Sequence, residues 1–243
     1  MLEQARAELA PTGVLRAGIN LSNFLLVTGK SDSGDPEGVS PDMARAVADR
    51  LGVPVTYVPF QTPGELADAA TDDAWDIGNI GAEPERAKHI AFTAAYCEIE
   101  STYLVPPGSP ITSIDEVDRE GVRISVYGRA AYGLWLADNI KHAELVKFDG
   151  MDASFDAFVE QKLDALAGLR PRLIKDVERI PGSRILDGKF SAVQQAIGCK
   201  RGLKAGAKFL SEFVEEAKAS GLVESLIKKH GVDGRLTVAP PAG

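Results

Sequence analysis

The chain has 243 residues, of which 44% are hydrophobic and 26% charged, and 35 acidic side chains against 27 basic ones give a net charge of -8. That length buries a sizeable core in one large or two interlocked lobes, and the acidic balance without any basic run argues against a nucleic-acid partner. Apolar stretches such as 24–27 and 102–107 fall far short of the ~20 residues that a membrane helix needs.

Residues 1–11 carry Glu3 and Glu8 and no apolar run, so they do not read as a secretory signal peptide. Residues 14–19 follow Pro11-Thr12-Gly13 and read as a first strand, and a Gly/Ser/Asp-rich loop covers 28–38. Ser40-Pro41-Asp42 opens a helix through Met43, Val47 and Leu51 that Gly52 stops, with Ser40 at the cap position. The β-branched and aromatic run 55–60 predicts a strand, Thr62-Pro63 a second helix and 75–80 a third strand, giving β-α-β-α-β and a parallel sheet. Such sheets bind ligands beyond the carboxyl ends of their strands.

A long extended stretch, 91–105, then leaves this lobe. A second, smaller β-α series follows: strand 122–126, helix 130–140, strand 143–148, helix 153–161 and strand 164–169. Residues 192–199 are extended again and precede amphipathic helices over 205–220 and 223–230, broken at Gly221; the Pro-rich tail 239–243 is expected to fray. These spans predict lobe one as residues 1–101 plus 194–243, and lobe two as 102–193 inserted through a two-strand hinge, with a cleft between them. Cys97 and Cys199 are too few for a disulfide framework. Beside the predicted hinge strands they read as two buried thiols or as one bridge.

Several runs in order carry a family signature: Gly38-Val39-Ser40-Pro41-Asp42-Met43-Ala44, Arg50-Leu51-Gly52-Val53, Trp75-Asp76-Ile77, Pro84-Glu85-Arg86 and Ala91-Phe92-Thr93-Ala94-Ala95-Tyr96. Together with Ile114–Val117, Leu163-Asp164-Ala165 and Phe213–Gly221, the chain resembles, over roughly 13–231, the type II, amino-acid-type (family 3) solute-binding proteins of ABC importers. The resemblance implies an α/β, two-lobed type II periplasmic-binding-protein fold. It also implies capture of a small carboxylate-bearing solute by hinge closure, an ABC importer permease as partner, a monomer and no cofactor. It points to the periplasm, while the absent leader leaves the cytoplasm open.

By that resemblance Arg86, in the turn Glu83-Pro84-Glu85-Arg86, forks onto the ligand carboxylate, which a planar guanidinium matches bidentately. Asn79 and Gly81 line the same wall, and Asn23 and Phe24 follow strand one, where an aromatic is expected against the ligand's apolar part. The second lobe departs from the family pattern. Arg129-Ala130-Ala131 replaces a hydroxyl-bearing turn, and Leu169, followed by Arg170, stands where an acid usually anchors the α-ammonium group. A buried ammonium without an anionic partner is costly, so the expected ligand is an organic acid or modified amino acid held by Arg86 with Arg129 or Arg170.

His89, His142 and His230 share no helical face that would bind zinc, and the phosphate-loop, nucleophile-elbow and dinucleotide motifs are missing. The alternative from a different class is an enzyme of the same fold, similar to cyclohexadienyl or arogenate dehydratase, with Glu83, Glu98 or Glu100 as proton donor.

Overall fold

The computed structural model of the chain describes residues 2–243. In chain order the elements are α1 (Leu2–Leu9), β1 (Leu15–Asn20), the hairpin β2 (Gly29–Lys30) and β3 (Pro36–Glu37), α2 (Val39–Leu51), β4 (Val55–Phe60) and α3 (Pro63–Asp68). Next come β5 (Ile77–Gly81), α4 (Pro84–Ala87), β6 (Ile90–Phe92), β7 (Cys97–Val105), β8 (Arg123–Tyr127), α5 (Ala131–Asn139), β9 (Glu144–Phe148) and α6 (Met151–Glu160). Then follow β10 (Ala165–Leu169), α7 (Arg170–Arg179), β11 (Arg184–Ile185), β12 (Ser191–Lys200), α8 (Lys204–Ala219), α9 (Leu222–Lys229) and β13 (Thr237–Val238). The chain divides into two compact units: the stretch through Glu98 with Gln194–Gly243, and Ile99–Val193.

Both units are built on one plan. In the first, β4, β1 and β5 run parallel in that order and β12 lies antiparallel on β5. In the second, β9, β8 and β10 run parallel and β7 lies antiparallel on β10. The same side-chain device registers each central pair. Arg16 of β1 donates its backbone N–H (2.8 Å) and Nε (3.1 Å) to Asp76 Oδ2, while Asp76 N donates to the Arg16 carbonyl at 2.8 Å. Arg123 of β8 treats Asp164 identically, at 2.8 and 3.2 Å, with Asp164 N returning to the Arg123 carbonyl at 3.0 Å. Each guanidinium also caps the carbonyl of a residue in the left-handed region, Asp73 (φ 55°) or Lys162 (φ 51°).

Local chemistry explains most boundaries. Thr62 accepts from Glu65 N at 3.1 Å and Glu65 returns to Thr62 N at 3.3 Å, a reciprocal cap that starts α3. Gly52, at φ 70°, ends α2. Leu66, Trp75, Ile80 and Ile90 form one apolar cluster of the first unit; Leu104, Phe155, Phe158, Leu166 and Leu173 form one of the second.

Four expectations need correction. The cap of α2 is Gly38, not Ser40: its φ of 152° and a Cβ that would stand 2.2 Å from the Leu26 carbonyl oxygen admit only glycine. The extended run 91–105 breaks at 93–96, where Thr93 turns its hydroxyl onto the Ala94 carbonyl (2.6 Å) and accepts Ile197 N (3.2 Å). An unanticipated helix, α7, begins at Arg170 because Pro171 sits in its first turn, where a missing N–H costs nothing. The tail does not fray. Residues 237–238 pair with β7, Ala239 N donates to the Tyr96 carbonyl (3.1 Å) and Lys218 to the Pro240 carbonyl (2.9 Å).

Helix α1 is packed rather than loose: Ala5 and Leu9 are fully buried. Arg6 Nε donates to the Leu51 carbonyl at the end of α2 (2.7 Å), and Glu8 accepts Gly206 N at the start of α8 (2.7 Å). Cys97 and Cys199 are buried free thiols; burial pushes Cys97 well up, and burial with the Glu8 charge takes Cys199 up to about 11.

The two Arg–Asp devices differ in exposure, with the Asp76 side chain 5% exposed and that of Asp164 38%. Asp76→Asn is expected to cost about 2–4 kcal/mol and Asp164→Asn less than about 1 kcal/mol in urea unfolding; equal losses would refute the ranking. Asp42 of α2 bonds Lys229 Nζ (2.7 Å) and His230 Nε2 (2.8 Å) at the end of α9. Burial works to raise its pKa, but the Lys229 and His230 bonds outweigh it and hold the carboxyl low. Its contribution is therefore full above the ordinary Asp value and lost as pH falls through the lower folded one. The melting-temperature gap between wild type and Asp42→Asn is expected to shrink below about pH 4.

Candidate functional site

Because β1 and β5 are adjacent and parallel, the segments after them emerge at the same sheet end. Asn23 and Phe24 follow β1, and Glu83 and Arg86 follow β5. In the second unit, Arg129 and Ala130 follow β8 and Arg170 follows β10, again two adjacent parallel strands. Both groups thus occupy the carboxyl ends where open α/β sheets bind ligands.

Arg86 lies in the short helix α4, started by Pro84, and is 5% exposed. Its Nη1 donates to the Gly81 carbonyl at 2.8 Å, so the last residue of β5 orients the guanidinium. Glu83 is buried at the N-cap of α4 and its carbonyl accepts Ala87 N at 2.9 Å.

Asn79, expected to line the ligand wall, instead spends its amide on the protein. It is buried in β5 and donates through Nδ2 to the Ser40 carbonyl, 3.0 Å away in the first turn of α2. Asn23 is likewise buried, and its Oδ1 accepts both Leu25 N and Leu26 N at 3.2 Å. That side chain shapes the loop carrying half-buried Phe24.

Arg129 is exposed, and Ala130 is the buried N-cap of α5 without a side-chain cap. Gly133, one turn on, has no room for a Cβ, which would lie 2.2 Å from the Tyr127 carbonyl oxygen. Leu169 is buried at the N-cap of α7. Arg170 Nε donates to Glu100 at 2.9 Å, its Nη2 donates to the Gly188 carbonyl, and Lys189 lies 4.0 Å from the same carboxylate. Glu98, the other carboxylate considered for proton donation, accepts from Gln194 at 2.8 Å.

Sequence reasoning missed two polar groups of the second unit. Arg172 Nε bridges both oxygens of buried Asp176 (3.0 and 3.1 Å) and its Nη2 reaches Asp152 (2.6 Å). Burial raises the Asp176 pKa despite the Arg172 and Arg179 cations. They line, with Tyr132 and Ser154, a cavity of about 10 Å³, room for one water. The i,i+4 spacing of Arg172 and Asp176 was the available signal, and without a predicted helix there it went unused.

Residues 18–233 match the family described as bacterial extracellular solute-binding proteins, family 3. The glutamine-binding protein GlnH of an ABC transporter from Bacillus subtilis (strain 168) is 22% identical over 223 residues, which cover 87% of this chain and 79% of that protein. A cyclohexadienyl dehydratase from Pseudomonas aeruginosa is 24% identical over 159 residues, 64% of this chain and 59% of that enzyme. Among solved structures, a mutant ArgBP from T. maritima superposes with a TM-score of 0.72 at 21% identity, covering 94% of this chain and all of that one; the fold is that of type II periplasmic binding proteins.

A hydrogen bond from a charged donor to a buried carbonyl is worth about 1.5–3 kcal/mol, so Arg86→Met is expected to lose that much stability in solute-free protein by urea unfolding. An unchanged midpoint would show that Gly81 does not hold the guanidinium.

Proposed function

Since the chain belongs to the bacterial extracellular solute-binding proteins of family 3, we propose that it captures a small carboxylate-bearing solute, an organic acid or modified amino acid, with Arg86 as the anchor. The observation that carries this reading is the buried, pre-oriented Arg86 guanidinium at the carboxyl end of β5. Burial limits solvent screening of its charge, and holding the fork in place beforehand reduces the entropy lost on forming paired N–H···O bonds. Leu169 supports the choice of ligand class, because an apolar, buried side chain at that strand end offers an α-ammonium group no anion. Arg170 is committed to Glu100 and Gly188, so binding a solute through it would mean giving up those contacts. Delivery of the solute to an ABC importer permease follows from the family, as does a place outside the cytoplasmic membrane.

The second reading, an enzyme of the same fold, is favoured by one observation, the dehydratase relative. Appearance of an aromatic chromophore on incubation with prephenate or arogenate would replace binding by turnover.

A thermal-shift and calorimetric panel of keto acids, dicarboxylic acids and L-amino acids tests the ligand class. At a concentration about 100 times Kd, a bound acid is expected to add about 2.7 kcal/mol, raising Tm by roughly 5–10 °C for a chain of this size. Arg86→Lys, which keeps the charge but loses the fork, is expected to weaken binding at least about 10-fold. Micromolar binding of ordinary L-amino acids with no response to the other acids would overturn the proposal.

A further inference from the structure

We infer that one water molecule is built into the first unit, bridging Asn79 Oδ1 to the hydroxyls of Ser40 and Tyr96. These residues are 2%, 2% and 0% exposed, and Asn79 Oδ1, Ser40 Oγ and Tyr96 OH are all buried without a hydrogen-bond partner. Buried polar atoms in folded proteins are nearly all paired, so three together on neighbouring segments point to a shared partner. The Ser40 hydroxyl lies close enough to act on the Tyr96 phenol as a hydrogen-bond partner, but the pair falls outside full hydrogen-bond geometry.

The amide orientation defines the chemistry. Nδ2 of Asn79 is spent on the Ser40 carbonyl at 3.0 Å, which leaves Oδ1 as an acceptor that needs a donor. The two hydroxyls each donate and accept. Their partner must therefore give a proton to Asn79 and also offer lone pairs, which water does and an ammonium ion does not. Burial pushes the Tyr96 phenol well up, so it stays neutral, and none of the three residues is ionised to balance a cation.

Backbone bonds hold the main chain of the three residues in place. Ser40 N is tied to the Leu26 carbonyl (3.1 Å), Tyr96 N to the Gln195 carbonyl (2.9 Å) and the Tyr96 carbonyl to Ala239 N (3.1 Å), while Asn79 is held in register opposite Ile197. A bridging water makes two to four such bonds and is costly to remove. It joins the first turn of α2, the strand β5 and the segment entering β7. Asn79 stands two residues before Gly81, whose carbonyl holds Arg86, so the water acts as a positioning element for that turn and does so whichever solute binds.

A high-resolution crystal structure of the wild-type chain tests the assignment directly, with a density peak expected within about 3 Å of Asn79 Oδ1 and of at least one of the two hydroxyls. Direct bonds among the three side chains, with no such peak, would overturn it. Water-proton or ¹⁷O relaxation dispersion gives a second readout in solution: wild type is expected to hold one more long-lived water than Asn79→Leu or Ser40→Ala. Equal counts in wild type and a folded variant would also overturn it, and the wild-type density decides the matter if neither variant folds.

Discussion

An arginine at the foot of one strand and an aspartate at the foot of its parallel neighbour, bonded through both side chains and both main chains, hold each sheet in register. The strand ends that carry the candidate site residues take their position from that pairing. A slip of β5 against β1 by one residue would turn Asn79 and Ile80 to opposite faces, moving an amide into the Trp75 cluster. Arg16 and Asp76 make the slip expensive because the buried carboxylate would lose three donors at once. The guanidinium gains from the same contact: the Asp76 bond raises its pKa more than burial lowers it.

That register decides which residues reach the sheet end. Gly81 closes β5 and Arg86 folds back onto its carbonyl within one turn of helix, so the position of the charge derives from the strand rather than from a flexible loop. In the second unit the corresponding turn is organised differently. Arg170, the first residue of α7, reaches back to Glu100 on β7 and to the Gly188 carbonyl, and so braces α7 against an antiparallel strand.

Much of this was legible in the amino-acid order because its signals are local. The run 55–60 is β-branched and aromatic and forms β4 over the same residues; Gly52 and Gly221 stop helices through their left-handed geometry. Several failures share a source, partners distant along the chain. Arg170 finds Glu100 70 positions away, and Asn79 finds Ser40 39 positions away, so no window could reveal that the first braces α7 or that the second bonds a helix turn. Strand β13 is two residues long and carries no periodicity, yet it pairs and ties down a tail whose prolines suggested fraying. Helix α7 was hidden by its six charged residues, which mask the apolar stripe of Leu173 and Val177.

The interleaving of the two units has a consequence for biosynthesis. Ile99–Val193 is complete when its last residue leaves the ribosome, but the first unit then still lacks β12 beside β5 and α8 beside α1. Until residues 194–219 emerge, Leu9 lacks its neighbour Gly206 and Glu8 has no helix start to cap. The inserted unit therefore has the earlier opportunity to fold on the nascent chain, and the N-terminal helix waits for the last fifth of the polypeptide.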